Sequence, residues 1–549
     1  MVRSDQFLSR LTRPHGGQRV AVALACLAIC IALVPSASAA SLSKPTAQAT
    51  TTSTTSGTNL LTGKEATFNG STGGWTGIDS TLSWASAPST TGYGSLAMTA
   101  TASSWVEAWS DFPPNGPATL AQPGEKLSGG ASVYETGASE PLDVVLGFLN
   151  SAGSVIATVS GQLATPATGT WTSLPAVAGI APTSSVAVAV GVIQYSASVG
   201  QVTYIESPIL ATIGAGSPAV VGPLHTTGNK VVQANGKSVV LKGVVLEGLE
   251  SSGTLAGTGV TEDAVQQAKS WGANFVRVPL GEQFWLSSNC DYSASYQSAV
   301  DQVVSWITSL GMVALLDLHT NTLSACETGG QHDMADEAQS PIFWNQVAGR
   351  YGNPSSPEYN SLVAFDLYNE PHHISDSVWL NGGLITDLYG SNETFEAAGM
   401  QQLYNTVRAA GSQNVVFISG TNWANNPPSQ LVSGTNIVYA VHYYTCPHSA
   451  PPNCLNANPY DPSQDLNLWL PLSGTKPVAV TEFGWPSDTD GTYTANVVSY
   501  AKTQGWGWSA YAWEQEPGWG GFVYQNWLSD GTAEPKPSGT PILLALSQG

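Results

Sequence analysis

Across residues 239–513, short apolar runs recur and close in polar or aromatic residues, with helix-length amphipathic segments between most of them. The runs fall at 239–246, 274–279, 313–318, 363–368, 415–419, 437–441, 478–481 and 509–513. A run that is apolar on both faces reads as a strand covered on both sides, which calls for helices laid over the sheet. Eight such strands, alternating with stretches such as TEDAVQQAKSWG and FEAAGMQQLYNTVRAAG, predict a (β/α)8 TIM barrel over residues 224–549. A doubly wound sheet is disfavoured, because no Gly-rich phosphate turn follows the first strand.

The chain of 549 residues leaves room for more than the barrel. Residues 1–40 carry Arg3, Arg10, Arg13 and Arg19, then an apolar run over 20–34, then small residues ending at Ala39 and Ala40. That is the pattern of a cleaved secretory signal peptide, and the run is too short to span a bilayer. Residues 41–58 form a Ser/Thr-rich linker. Over 59–210, runs such as LDVVLGFL and SVAVAVGVIQY alternate with Gly, Ser, Pro and Thr turns and show no helical period. This segment is expected to be an antiparallel β-sandwich, or jelly roll. A second linker is expected at 211–223, which would make the sandwich a separable domain. The barrel segment opens on a hairpin with its turn at Asn235 and Gly236.

Only 17 Lys and Arg stand against 38 Asp and Glu, a formal charge of -21. That sign is wrong for holding nucleic acid or an anionic membrane surface. A secreted monomer with no stable membrane association is the expectation.

In a barrel of this kind the reactive groups stand at the carboxyl ends of the strands. Arg277 lies in strand two (NFVRVP), His319 closes strand three (LLDLH), and Asn369 and Glu370 close strand four (FDLYNEP). His442 and Tyr444 follow strand six (VHYY), Glu482 strand seven (AVTEFG) and Trp513 strand eight (AYAWE). One strand-end Glu is unremarkable, but two facing carboxylates among His, Tyr, Arg and Trp are what cleavage of a glycosidic bond needs. These residues, with the NEP, HYY and TEFG runs, resemble glycoside hydrolase family 5, a family of cellulases with a retaining mechanism, over residues 223–549.

The resemblance implies that Glu370 is the general acid/base and Glu482 the nucleophile, with Arg277, His319, Asn369, His442, Tyr444 and Trp513 binding the sugar or tuning the carboxylates. It implies no cofactor for catalysis and a β-linked polysaccharide as substrate, an endo-β-1,4-glucanase before a mannanase, xylanase or β-1,3-glucan hydrolase. A non-catalytic polysaccharide-binding barrel is disfavoured because both carboxylates and all their partners are present. Trp285, Trp423, Trp485 and Trp519 either extend the sugar platform or pack under loops. Asp317 and Asp366 read as hydrogen-bonded barrel residues.

His319, His332, His372, His373, His442 and His448 show no HExxH or other tight ligand spacing, so no catalytic metal is expected. No GxSxG elbow supports a serine hydrolase. Past residue 40 the cysteines are Cys290, Cys326, Cys446 and Cys454. An even count in an exported chain implies disulfides, and of three pairings Cys290 with Cys326 and Cys446 with Cys454 are preferred. The sandwich opening, NLLTGKEATFNGSTGGWTG, resembles more loosely the jelly-roll carbohydrate-binding modules of families 4, 9, 16 and 22. That resemblance offers Trp75, Trp84, Trp105, Trp109, Phe112 and Tyr134 for sugar stacking. It also implies a structural calcium that no residue here can be assigned to.

Overall fold

The computed structural model describes residues 59–110, 119–138, 140–213, 217–444, 461–485, 488, 491–513, 523–525, 533–536 and 538–547. The signal segment, the Ser/Thr tract, Phe112, Cys446, His448, Cys454 and Trp519 lie outside them.

Eight parallel strands close into a barrel: β1 Lys242–Val245, β2 Phe275–Gly281, β3 Val313–Thr320, β4 Val363–Asp366, β5 Val416–Ser419, β6 Ile437–Tyr444, β7 Val478–Gly484 and β8 Gly507–Ala510. Gly243 pairs with Phe275 on one side and Ser509 on the other, which shuts the ring. Alternation along each strand sends one set of residues inward and the next outward. Phe275, Leu315, Ala364, Phe417, Ala440 and Ala479 fill the lower lumen, with the rings of Phe275 and Phe417 stacked at 5.8 Å. Val276, Leu316, Phe365, Ile418, Val441 and Val480 face the helices.

The helix Glu262–Trp271 shows why those segments fold as they do. Thr261 caps its start by accepting from the Ala264 amide at 3.1 Å, and Gly272, at φ 107°, supplies the left-handed residue that ends it. The expected hairpin is a three-stranded sheet of His225–Thr227, Lys230–Val232 and Ser238–Val239. Val239 therefore pairs with Val231 rather than opening β1. With Leu224 and Val231 in the lower lumen cluster, this sheet plugs the floor, and polar groups collect at the other end.

The N-terminal part is a sandwich of two antiparallel six-stranded sheets. Trp75 and Trp109 belong to its buried interior, so neither offers a ring to a ligand. Trp84 is exposed, and Trp105 and Tyr134 are half-buried.

The described residues of the segment expected to be a tether, 211–213 and 217–223, are built into both bodies. Ala211 and Thr212 complete the strand Val202–Thr212. The Ser217 amide donates to the Gly272 carbonyl at 3.0 Å and the Val220 amide to the Gly311 carbonyl at 2.8 Å. Gly, Ala and Pro content marks irregular backbone and does not distinguish a tether from a packed strap. Ala178 and Ile180, on an edge strand of the sandwich, join the outer core of the barrel, where that strand packs on the C-terminal helix Gly539–Ser547.

A chain beginning at Val221 exposes these surfaces. Re-exposing one Ile side chain alone is worth about 1.5–3 kcal/mol. Calorimetry should show a clearly lower Tm for the truncated chain. An unchanged Tm would show that the two bodies do not support each other. Among the described residues no helix is long and apolar enough to cross a membrane.

Candidate active site

Arg277 organises the barrel mouth. It projects inward from β2, is fully buried, and sends each part of its guanidinium to a different strand end. Nε donates to Asp366 Oδ2 at 3.0 Å, one terminal nitrogen reaches Glu482 Oε1, and the other reaches Asn369 Oδ1 at 2.9 Å and Asp317 Oδ1 at 3.0 Å. Asp317 and Asp366, polar residues inside apolar strands, are thus the counter-charges of a buried cation. Because the Asn369 oxygen accepts from Arg277, its amide nitrogen is left facing His319 Nε2, at 3.5 Å.

Glu482 owes its direction to a bulge. Val441 pairs with Val480 but His442 pairs with Glu482, so Thr481 is an extra residue in β7. Strict alternation from inward Ala479 would turn Glu482 outward. The bulge reverses the parity and aims it into the mouth, where Tyr444 donates to its Oε2 at 2.8 Å. Burial alone would raise the Glu482 carboxyl. The positive groups of His442, Arg277 and His319, with the Tyr444 hydroxyl, instead hold it well below the usual carboxylate range.

Glu370 stands opposite on the loop after β4, and both of its oxygens are engaged. His442 Nδ1 lies 2.7 Å from Oε1 and the Gln331 amide donates to Oε2 at 2.6 Å. One oxygen of each Glu and the His442 nitrogen all fall within 4.8 Å of one another. His319 is oriented by Asp317, whose Oδ2 is 2.8 Å from Nδ1. Burial would lower His319, but the hydrogen bond and charge of Asp317, with Glu482, push it up to about 9. Asp366 is pushed up to about 7 by burial, against the pull of Arg277.

Seven of the eight residues read from the sequence therefore meet at one mouth. Trp513 does not. It is 3% exposed, and its ring packs edge-on against Trp271, 4.9 Å away at the end of the first barrel helix. β8 stops at Ala510, so the alternation that would have carried Trp513 inward no longer holds. Tyr511 takes the place beside the carboxylates, its ring 6.3 Å from that of Tyr444. Burial and the charges of Glu247 and Glu482 push its hydroxyl far up. Sequence reasoning missed Tyr511 and Gln331. The first sits in the strand-end run AYAW and had the same claim as Trp513, whereas nothing in the sequence around Gln331 signals its role.

Of the further tryptophans, Trp285 is core, set between Tyr296 and Phe343, and half-buried Trp485 rests on Tyr493. Half-buried Trp423 stacks on His372. The disulfide Cys290–Cys326 is formed and joins the loops after β2 and β3.

The shifts predict how stability follows pH. Glu482, lowered on folding, contributes stability that is present above its ordinary value of 4.5 and lost as pH falls. His319, raised from 6.5 to about 9, contributes stability that is full below 6.5 and lost as pH rises through 9. Asp366, raised from 3.8 to about 7, acts in the same sense as His319, losing its contribution as pH rises towards 7. Thermal melts should therefore peak at mildly acid pH, and His319→Asn should flatten the alkaline limb. A stability maximum above pH 8 would contradict the assignment.

A family model described as Cellulase (glycosyl hydrolase family 5) matches residues 232–517, just over half of the chain. The chain is 26% identical over 278 residues to the manganese dependent endoglucanase Eg5A of Phanerodontia chrysosporium, covering 46% of this chain and 65% of that one. It is 25% identical over 314 residues to an endoglucanase of Paenibacillus polymyxa, covering 50% and 74%. Among solved structures, the catalytic domain of the major endoglucanase from Xanthomonas campestris pv. campestris superposes with a TM-score of 0.44 at 20% identity, over 59% of this chain and all of that one. With the family's match lying on the closed barrel and its crowded mouth, the chain belongs to the cellulases of glycosyl hydrolase family 5.

Proposed function

We propose that this chain is a secreted, retaining β-glycanase, an endo-β-1,4-glucanase, with Glu482 as nucleophile and Glu370 as acid/base. The reading is carried by one observation: a carboxylate kept ionised by Arg277 and Tyr444 faces, at the short separation of retaining enzymes, a second carboxyl group held by His442. In the first step Glu482 attacks the anomeric carbon, while Glu370 gives its proton to the departing glycosidic oxygen. In the second, Glu370 takes a proton from water, whose oxygen attacks the same carbon and frees Glu482.

Both oxygens of Glu370 are engaged, by His442 and Gln331, so an incoming glycosidic oxygen has to displace one of these partners. Gln331, carried by a loop, is the one that can yield. The Asn369 amide nitrogen suits a hydrogen bond to the sugar 2-hydroxyl, and protonated His319 suits donation to a neighbouring hydroxyl. Tyr511, rather than Trp513, supplies the aromatic ring beside the reacting sugar. The curated relatives above carry endoglucanase names, which favours β-glucan as substrate. Half-buried Tyr134 lies 5.7 Å from Trp171 and 6.3 Å from Tyr204, a cluster that suits a polysaccharide chain docking on the sandwich.

The test is a panel of carboxymethylcellulose, lichenan, laminarin, mannan, xylan and aryl-glycosides, with early products followed by NMR. Carboxymethylcellulose and lichenan should be cut to oligosaccharides with retained anomeric configuration. Inversion would remove the nucleophile assignment, and exclusive action on mannan or xylan would remove the glucanase reading.

A further inference from the structure

We propose that Asp333, His372 and His373 form a binding site for a divalent transition metal ion beside the cleft, separate from the paired strand-end carboxylates. The three residues are far apart or ill-spaced in sequence and meet only in the fold. Asp333 comes from the long loop after β3, whereas His372 and His373 follow Glu370 and Pro371 in the loop after β4. His372 Nε2 lies 3.0 Å and His373 Nδ1 3.1 Å from the same oxygen, Asp333 Oδ1. All three atoms lie within 4.8 Å of one another.

The placement of His372 points to an ion. Its Nδ1 is 2.6 Å from the Glu370 carbonyl oxygen, which can only accept, so Nδ1 carries the hydrogen. Its Nε2 is fully buried and, although 3.0 Å from Asp333 Oδ1, makes no well-aligned hydrogen bond there. A cation shared by Nε2, the Asp333 oxygen and His373 Nδ1 would satisfy all three atoms at once. A metal-bound imidazole whose other nitrogen donates to a backbone carbonyl is the usual outer arrangement of such sites. Bonds of about 2.1 Å at tetrahedral angles place ligand atoms about 3.4 Å apart, so the two imidazoles need to move only a few tenths of an ångström to take up an ion.

The surroundings hold the ligands in place. The His372 ring stacks on Trp423 at 3.5 Å and 11°, and the Asp333 carboxylate accepts from the Leu388 amide at 2.8 Å. His373, at φ 51°, is the solvent-facing member, 36% exposed at its side chain, and leaves room for water ligands. Two imidazoles and one carboxylate suit zinc or cobalt rather than the all-oxygen shells of calcium or magnesium.

The full chain, stripped with a chelator and dialysed, should bind one equivalent of Zn²⁺ or Co²⁺ by calorimetric titration, and bound Co²⁺ should give visible absorption bands. His373→Ala and Asp333→Asn should each weaken binding by about 10- to 100-fold or more. The first changes a solvent-facing side chain and the second keeps an acceptor for Leu388, so both should fold, as a thermal melt would check. Glu482→Gln should bind the ion as the parent does. The proposal is overturned if no saturable site is found or if binding survives both loop substitutions. It is equally overturned if binding is lost in Glu482→Gln, which would place the ion among Glu370, His442 and Glu482.

Discussion

Glu482→Gln should lower turnover by about 10⁴-fold or more, the scale seen when a covalent nucleophile is removed, while the protein still folds, short of the stability that the ionised carboxylate supplies above its ordinary value of 4.5. The second half of this expectation comes from counting charges around Arg277. Its guanidinium faces three carboxylates, Asp317, Asp366 and Glu482. Replacing one of them with an amide of the same shape leaves two carboxylates for the guanidinium and keeps an oxygen for Arg277, with the amide nitrogen towards the Tyr444 oxygen. Near-complete loss of activity in a folded protein whose Tm falls modestly, and least at acid pH, is the signature of a group kept for chemistry rather than for folding. Glu482→Gly with added azide should recover turnover and release a glycosyl azide of inverted configuration. If Glu482→Gln kept even a tenth of parental activity, the nucleophile would have to lie elsewhere.

Arg277→Leu should do the opposite and cost the fold itself about 3–5 kcal/mol, because it leaves buried carboxylates without their counter-charge. The loss should depend on pH in a definite direction. Without the cation, Asp366 and Glu482 hold their protons to higher pH in the folded state than in the unfolded one. Stability is then retained below the ordinary carboxylate range and lost as pH rises through the raised folded values. Chemical denaturation at pH 4 and pH 7 should show the larger deficit at pH 7. Equal deficits would mean that packing of the arginine stem, not its charge, is what the fold uses.

How much of this could be read from the chain follows from where each residue sits. Arg277, His319, Asn369, Glu370, His442, Tyr444 and Glu482 were legible because each interrupts or closes an apolar run, and the barrel turns such positions towards one mouth. Trp513 misled because it lies beyond the last paired residue of β8, where strand periodicity has no force. The direction of Glu482 was reached for an incomplete reason, since the bulge at Thr481 leaves no mark in VAVTEFG. Gln331 and the Asp333 cluster were invisible because loop backbone has no period to reveal which side chains it carries inward. The packed strap at 217–224 was hidden for a related reason: composition reports the irregularity of backbone, not its contacts.

Closure of the ring by β1 and β8 has a consequence for how the chain is made. The two strands that complete the barrel, Lys242–Val245 and Gly507–Ala510, are among the most distant pairs in the sequence. During synthesis the sandwich is complete long before β8 emerges, whereas β1 waits as an open edge for most of the time the barrel is being made. A terminated or stalled product ending ahead of Gly507 would expose unpaired edges at both ends of a seven-stranded sheet, a template for aggregation. Such non-local pairing also makes spontaneous refolding slow relative to the sandwich alone. Yield in a heterologous host should therefore depend on how long translation takes to cross the last third of the message.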